Sequence, residues 1–211
     1  MTIHVVLADD HAMVREGLRT ALENVPDIDV IGEARNGTEA LHLVSKLHPD
    51  VLLLDLVVMP GPRPSEIAAE VRRISPETKT LILTAHERDA FLAELVDTNA
   101  VGFLNKEKKS SHLIQAIRRA ARGEILFTKT QRARAHRWRK SIGRRWAHLT
   151  RREREVLRLL VKGYSNQEIA NTQNVTEKTI EYHMTNILCK LGVNSRLEAV
   201  VWVHENIPKP W

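Results

Sequence analysis

The sequence predicts a doubly wound, five-stranded parallel α/β domain followed by a small all-α domain. Two patterns carry this. Short, wholly apolar runs alternate with stretches of helical period through residue 123. Beyond residue 149 such runs give way to helix-start signatures in series. The length, 211 residues, accommodates two small domains, each able to bury a core. At 43% hydrophobic and 27% charged, the composition excludes a disordered chain, a collagen-like fibre and a coiled-coil rod. No apolar run approaches a membrane span. The start, MTIHVVLADDH, meets acids too early for a signal peptide. Cys189 is the single cysteine, so neither an internal disulfide nor a Cys-based zinc finger is expected. A cytoplasmic protein is the expectation.

In order, Val5-Val6-Leu7 is the first strand, and Val14, Leu18 and Leu22 mark the first helix. Val30-Ile31 is the second strand, and residues 38–47 the second helix, with Ala40, Leu41 and Val44 inward. The run 51–54 suits a strand buried on both faces. Residues 67–74 read as a helix, with Ser65 after Pro64 as its N-cap. Residues 81–83 form a fourth strand, Phe91, Leu92, Leu95 and Val96 a helix, and residues 101–104 a fifth strand. Leu113, Ile114 and Ile117 mark a last helix, which Gly123 ends.

Thr150 with Glu153, and Ser165 with Glu168, are capping boxes that open two helices. Asn174-Val175 makes a turn, and Thr176 caps a third helix reaching Leu191, with Gly192 beyond it. Its inner stripe is Ile180, Met184, Ile187, Leu188 and Leu191; its outer face is Lys178, Glu181, Tyr182, Thr185 and Cys189. A fourth helix carries Leu197, Val200 and Val201. From periodicity alone, a helix-turn-helix with an outward recognition helix and a generic helical bundle stand level.

The net charge of +6 is uneven. Residues 1–123 carry 15 Lys/Arg and 18 Asp/Glu; residues 124–148 carry 8 and 1; residues 149–211 carry 9 and 7. The basic surplus therefore sits in a middle segment, where Ala135, Trp138, Ile142 and Trp146 fall at helical spacing among arginines. It reads either as a packed linker with solvated arginines or as a segment that also touches nucleic-acid backbone. Gly143 weakens a continuous helix there.

Doubly wound sheets place their site beyond the carboxyl ends of the strands. Asp9 and Asp10 follow strand 1, Asp55 strand 3, Thr84 strand 4 and Lys106 strand 5. Singly, Asp10 reads as a helix cap and Asp55 as a turn residue. Together, at four strand ends, they read as one site. Converging carboxylates suit a hard cation such as Mg2+, beside which one of them can attack a phosphoryl group. A lysine and a hydroxyl would stabilise the phosphoryl oxygens.

The motifs Ala8-Asp9-Asp10-His11, Leu54-Asp55-Leu56, Leu83-Thr84-Ala85 and Gly102-Phe103-Leu104-Asn105-Lys106 resemble the receiver domain of two-component response regulators. The resemblance implies a flavodoxin-like fold, phosphorylation of Asp55 by a sensor histidine kinase, and Mg2+ on Asp9, Asp10, Asp55 and the Val57 carbonyl. It assigns phosphoryl contacts to Thr84 and Lys106 and the aromatic switch position to Phe103; plain core packing is the other reading of Phe103. The usual two residues between the acceptor Asp and Met-Pro are three here, Leu56-Val57-Val58, and Pro60, Pro62 and Pro64 stiffen the loop beyond them.

Residues 149–204 resemble the LuxR-type (NarL/FixJ-like) helix-turn-helix through Leu149-Thr150-Arg151-Arg152-Glu153, Ser165-Asn166-Gln167-Glu168-Ile169-Ala170, Lys178-Thr179-Ile180-Glu181-Tyr182-His183 and Lys190-Leu191-Gly192-Val193-Asn194-Ser195-Arg196. That implies duplex DNA as partner, with Glu181, Tyr182 and Thr185 toward base edges. Asn166, Lys178, Thr179, Lys190 and Arg196 would lie near phosphates. It also implies pairing of two copies on DNA through the last helix. The organisation expected is a receiver over 1–123, a basic linker over 124–148 and a DNA-binding domain over 149–211. The function expected is a non-enzymatic DNA-binding transcription regulator switched at Asp55. The alternative is DNA binding with little or no dependence on Asp55 phosphorylation. A phosphohydrolase lacks its second carboxylate, because Val57 stands two residues after Asp55. RNA binding is disfavoured by the capping boxes and recognition-helix pattern.

Overall fold

The structure is a computed structural model describing residues 2–56, 61–85, 88–106 and 109–207. Residues up to Ala135 form one compact unit and residues from His136 onward a second.

In the first unit the apolar runs become strands β1 (Ile3–Ala8), β2 (Ile28–Ala34), β3 (Val51–Asp55), β4 (Lys79–Thr84) and β5 (Ala100–Asn105). All pair in parallel, in the order β2-β1-β3-β4-β5. Helices α1 (Ala12–Glu23), α2 (Gly37–Leu47), α3 (Pro64–Ile74), α4 (Asp89–Leu95) and α5 (Ser110–Ala121) alternate with them. Side chains alternate across a strand, so Val5, Leu7, Val51, Leu53, Leu81 and Leu83 pack with Leu22 of α1 and Ile117 of α5. Their neighbours Val6, Leu52, Leu54 and Ile82 are equally buried. That double burial is why β3 reads as an unbroken apolar run.

Helix ends follow local chemistry. The Asn36 side chain accepts from the Glu39 N–H at 2.8 Å and opens α2. Gly123, at φ 76°, follows α5 as expected. The cap of α3 differs from the expectation. Ser65 lies inside the helix; Arg63 is the N-cap and Pro64 the first helical residue. Proline suits that position, where its fixed φ is helical and its missing N–H has no partner to lose. Glu66 satisfies the cap by accepting from the Arg63 N–H at 2.9 Å.

The middle segment is helical, as α6 (Lys129–Trp138), a π-helical turn (Arg139–Gly143) and α7 (Arg144–Ala147). The division between the units falls within α6. On the first-unit side, Leu126 N donates to Val101 O at 2.6 Å. A Cβ on Gly102 would stand 2.6 Å from the Leu126 Cβ, so glycine permits this close approach to β5. Arg134 also hydrogen-bonds Asp89, at the start of α4, at 2.7 Å.

The second unit holds α8 (Arg151–Val161), α9 (Asn166–Gln173), α10 (Glu177–Leu191) and α11 (Arg196–Asn206). Thr150, Ser165 and Thr176 each accept from a backbone N–H three residues on. Asn174 makes the turn between α9 and α10 at φ 52°, and Gly192 follows α10 at φ 65°. Val156, Leu157, Leu160, Ile169, Ile180, Met184, Ile187 and Leu191 form the core, with Leu188 partly buried against it. The last helix turns differently from its sequence landmarks. Ala199, Trp202 and Val203 face inward, while Leu197 is 72% exposed and Val201 44%. The apolar residues that betray this helix are largely not those that fasten it.

Candidate functional site

The register sets Ala8 opposite Leu54, so the residues leaving β1 and closing β3 stand side by side. These are Asp9 and Asp55. Asp55 in turn pairs with Leu83, and Thr84 with Asn105. The cluster lies between β1 and β3, where the strand order reverses and doubly wound sheets bind their ligands.

Lys106 Nζ lies 2.6 Å from Asp9 Oδ2 and 2.8 Å from Asp55 Oδ1. Its backbone N–H donates to Thr84 O at 2.8 Å, which binds the end of β5 to β4. Asp9 and Asp55 are both buried. Burial pushes the Asp55 carboxyl above its ordinary range; the Lys106 hydrogen bond and charge offset part of this, and the Asp9 charge adds to it. Burial would lower the Lys106 ammonium, but its hydrogen bonds to Asp55 and Asp9 outweigh that and leave it raised. The lysine is therefore a fixed positive charge.

Asp10 is partly exposed, and its Oδ1 meets His11 Nδ1 at 2.7 Å. His11 N–H donates to Asp9 Oδ1 at 2.9 Å, and Arg15 donates to Asp9 O at 2.8 Å. One ligand atom from each of Asp9, Asp10, His11 and Asp55 lies within 4.8 Å of the others. Three carboxylates against one ammonium leave the pocket negative and rich in oxygen donors, a fit for a hard divalent cation. Sequence reasoning misses His11 here; its place directly after two clustered aspartates is the available signal.

Thr84 is buried at the end of β4. Phe103 is buried on β5 opposite Ile82, so it packs in the core whatever else it does. Val57 lies outside the described residues, as do Val58, Met59 and Pro60. The altered spacing after Asp55 therefore stays a feature of the sequence.

In the second unit, Lys178, Glu181, Tyr182 and Thr185 all emerge on the outer face of α10, and Tyr182 is 66% exposed. Thr179 is partly buried, and its hydroxyl lies 2.9 Å from that of Thr176. Asn166, at the start of α9, accepts from Arg196 Nη1 at 2.8 Å, and Arg196 also donates to Tyr164 O. That brings together two residues thirty positions apart. Lys190 also has a partner inside the unit. Its ammonium donates to both oxygens of Glu153, at 2.8 and 2.7 Å, and clamps α10 to α8. Glu153 is 3% exposed and also accepts from the Thr150 N–H at 2.7 Å. Burial works against the Glu153 charge, but Lys190 and the Thr150 N–H hold its carboxyl below the usual range. The capping box gives Glu153 a local role; its long-range partner leaves no mark in the sequence pattern.

Residues 5–118 match the family model described as response regulator receiver domain. Residues 147–203 match bacterial regulatory proteins of the luxR family. The chain is 35% identical over 208 residues to the response regulator protein VraR of Staphylococcus aureus, covering 98% of both chains. It is similar to the solved signal receiver domain of the putative response regulator NarL from Mycobacterium tuberculosis, at 35% identity and a TM-score of 0.56. That match covers 58% of this chain and 98% of the other. It is similar also to a two-component response regulator RcsB–DNA complex, at 27% identity and a TM-score of 0.60, covering 97% of this chain and 99% of that one. Among the described residues, no helix is long and apolar enough to cross a membrane.

Proposed function

The chain belongs to the two-component response regulators that join a receiver domain to a LuxR-type DNA-binding domain, and from that premise we propose that phosphorylation of Asp55 by a sensor histidine kinase switches its binding to duplex DNA. The observation that carries this is Asp55 itself: buried, at the switch point of the sheet, with Lys106 2.8 Å away and Asp9 and Asp10 beside it. An Asp55 carboxylate oxygen attacks the phosphorus of the kinase's phosphohistidine; the O–P bond forms, the P–N bond breaks, and the imidazole regains its lone pair. Asp9, Asp10 and Asp55 would hold Mg2+, with the Val57 carbonyl as the remaining protein ligand. When bound, that ion supplies positive charge for the phosphoryl oxygens. Lys106, freed from part of its pairing with Asp55, turns its ammonium to one phosphoryl oxygen, and Thr84 offers its hydroxyl to another. Phe103, on β5 three residues before Lys106, is the position through which the new contacts reach the sheet edge.

At the output end, Glu181, Tyr182 and Thr185 read base edges, while Asn166, Lys178, Thr179 and Arg196 contact phosphates. Lys190, which also anchors α10 to α8 through Glu153, lies on the phosphate side with them. Leu197 and Val201, one turn apart and exposed on α11, supply an apolar strip suited to pairing two copies on DNA. The protein acts in the cytoplasm as a regulator, not as an enzyme.

The test is intact-mass spectrometry with a small-molecule phosphodonor and Mg2+, beside Asp55→Asn, followed by titration of a labelled duplex. An adduct that requires both Mg2+ and Asp55, and that changes DNA affinity, is the expected result. A second reading, DNA binding indifferent to Asp55 phosphorylation, draws on the three residues between Asp55 and Met59-Pro60. Unchanged duplex affinity in a fully phosphorylated sample would establish it instead.

A further inference from the structure

The basic middle segment is not absorbed by the function above. From His136 onward it belongs to the second unit. Trp138, Ile142 and Trp146 pack against that unit's core, and Trp146 stacks on Trp202 with ring centroids 6.5 Å apart. In a regular α-helix, residues four apart drift by about 40° per step. The π turn Arg139–Gly143 holds more residues per turn and takes up part of that drift, keeping the three side chains on one face. The segment is therefore a fixed arm of the output unit.

Its other face is cationic. With the π turn in place, Trp138, Ile142 and Trp146 pack inward, and Arg137, Lys140 and Arg144 lie on the side turned away from them. All three are exposed, and none has a carboxylate partner among the described residues. The one acid in residues 124–148, Glu124, is already held by Arg119 and Arg122. The arm's position is also defined. Arg145 Nη1 donates to Leu191 O at 3.2 Å, so the arm lies across the C-terminal end of α10. With 15 residues, α10 is about 22 Å long, nearly twice the roughly 12 Å width of the major groove. With its N-terminal half at the bases, its far end emerges at the level of the phosphates, where the arm sits.

We propose that Arg137, Lys140 and Arg144 form a second phosphate-contacting surface on duplex DNA, extending the footprint beyond the helix-turn-helix. This rests on the reading that the second unit binds duplex DNA. The contacts add affinity without sequence preference.

The experiment measures affinity of the full-length protein for a mixed-sequence 30-base-pair duplex from 50 to 200 mM salt. The triple variant Arg137→Gln/Lys140→Gln/Arg144→Gln is compared with wild type and with a charge-matched control, Lys46→Gln/Arg72→Gln/Lys109→Gln, all exposed in the first unit. Removing one phosphate contact lowers the slope of log affinity on log salt by about 0.9, or about 3.5-fold over this range. The arm variant is expected to drop in slope by about 2 to 3 while the control keeps the wild-type slope. Equal drops in both variants would assign the effect to overall charge and overturn the proposal. So would a wild-type slope in the arm variant, or a drop confined to an RNA duplex of the same length. Absence of wild-type binding to any duplex would instead sink the DNA-binding reading beneath it. Matched thermal unfolding of the three proteins confirms that exposed substitutions leave the fold intact.

Discussion

Glu153→Ala should weaken the second unit by about 2–4 kcal/mol. Three losses make up that figure. The reciprocal cap at the start of α8 is worth about 1 kcal/mol. The charge-assisted bonds to Lys190, at 2.8 and 2.7 Å, are worth about 1.5–3 kcal/mol. The third is the stranded partner. Removing one member of a buried pair costs about 3–5 kcal/mol when the other stays buried. Lys190, however, is 32% exposed and reaches water, which holds the total below that ceiling. Glu153→Gln keeps an oxygen for the Thr150 N–H but loses the charge and one of the two acceptors for Lys190, so about 1–2 kcal/mol is expected. The pH dependence has a fixed sign. The Glu153 carboxyl is lowered on folding, so its contribution is complete above its unfolded value of about 4.5 and disappears as pH falls through the folded value below it. Glu153→Gln removes that acid-side slope. Urea unfolding followed by tryptophan fluorescence isolates the unit, because all four tryptophans, at 138, 146, 202 and 211, lie beyond residue 135. Glu153→Ala within about 0.5 kcal/mol of wild type, or equal to Glu153→Gln, would refute the account.

Two further outcomes rest on backbone geometry. Asn174 holds a left-handed conformation in the turn before the recognition helix, so Asn174→Ala should cost about 1 kcal/mol and Asn174→Gly almost nothing, in the same fluorescence assay. Gly102→Ala should cost the first unit about 1–3 kcal/mol, because the new methyl meets the Leu126 Cβ at 2.6 Å and that residue is bonded to β5. Gly17→Ala, in α1 with nothing within 4 Å, should instead stabilise by about 0.5–1 kcal/mol. Calorimetry suits this pair, since the first unit holds neither tryptophan nor tyrosine.

The sequence discloses whatever depends on neighbours in the chain. The alternation of apolar runs with helical period foretells the sheet, because a strand buried on both faces cannot be polar on either. Three side-chain caps, at Thr150, Ser165 and Thr176, are local hydrogen-bond geometry and are legible as such. The gathering of Asp9, Asp55 and Lys106 follows from topology, since parallel strands deliver their ends to one edge. Pairing across distance escapes. Glu153 with Lys190 and Arg196 with Asn166 are separated by 37 and 30 residues, and each side chain alone reads as a cap or a phosphate contact. Pro64 misleads in another way. The proline that would displace a cap to Ser65 instead occupies the first helical position and leaves Arg63 as the cap.

The middle segment shows most clearly why composition and structure divide a chain differently. By charge it is one stretch, 124–148, eight cations to one acid. By packing it is two. Leu126 is bonded to β5, Ala135 is 1% exposed, and Arg134 reaches Asp89 at the head of α4, the helix that follows the Thr84 strand end. From Trp138 onward the apolar side chains belong to the output core and the cations face outward. Charge is a property of residues and survives averaging along the sequence; burial depends on which surface each residue meets. α6 therefore carries both allegiances in one continuous run of backbone hydrogen bonds.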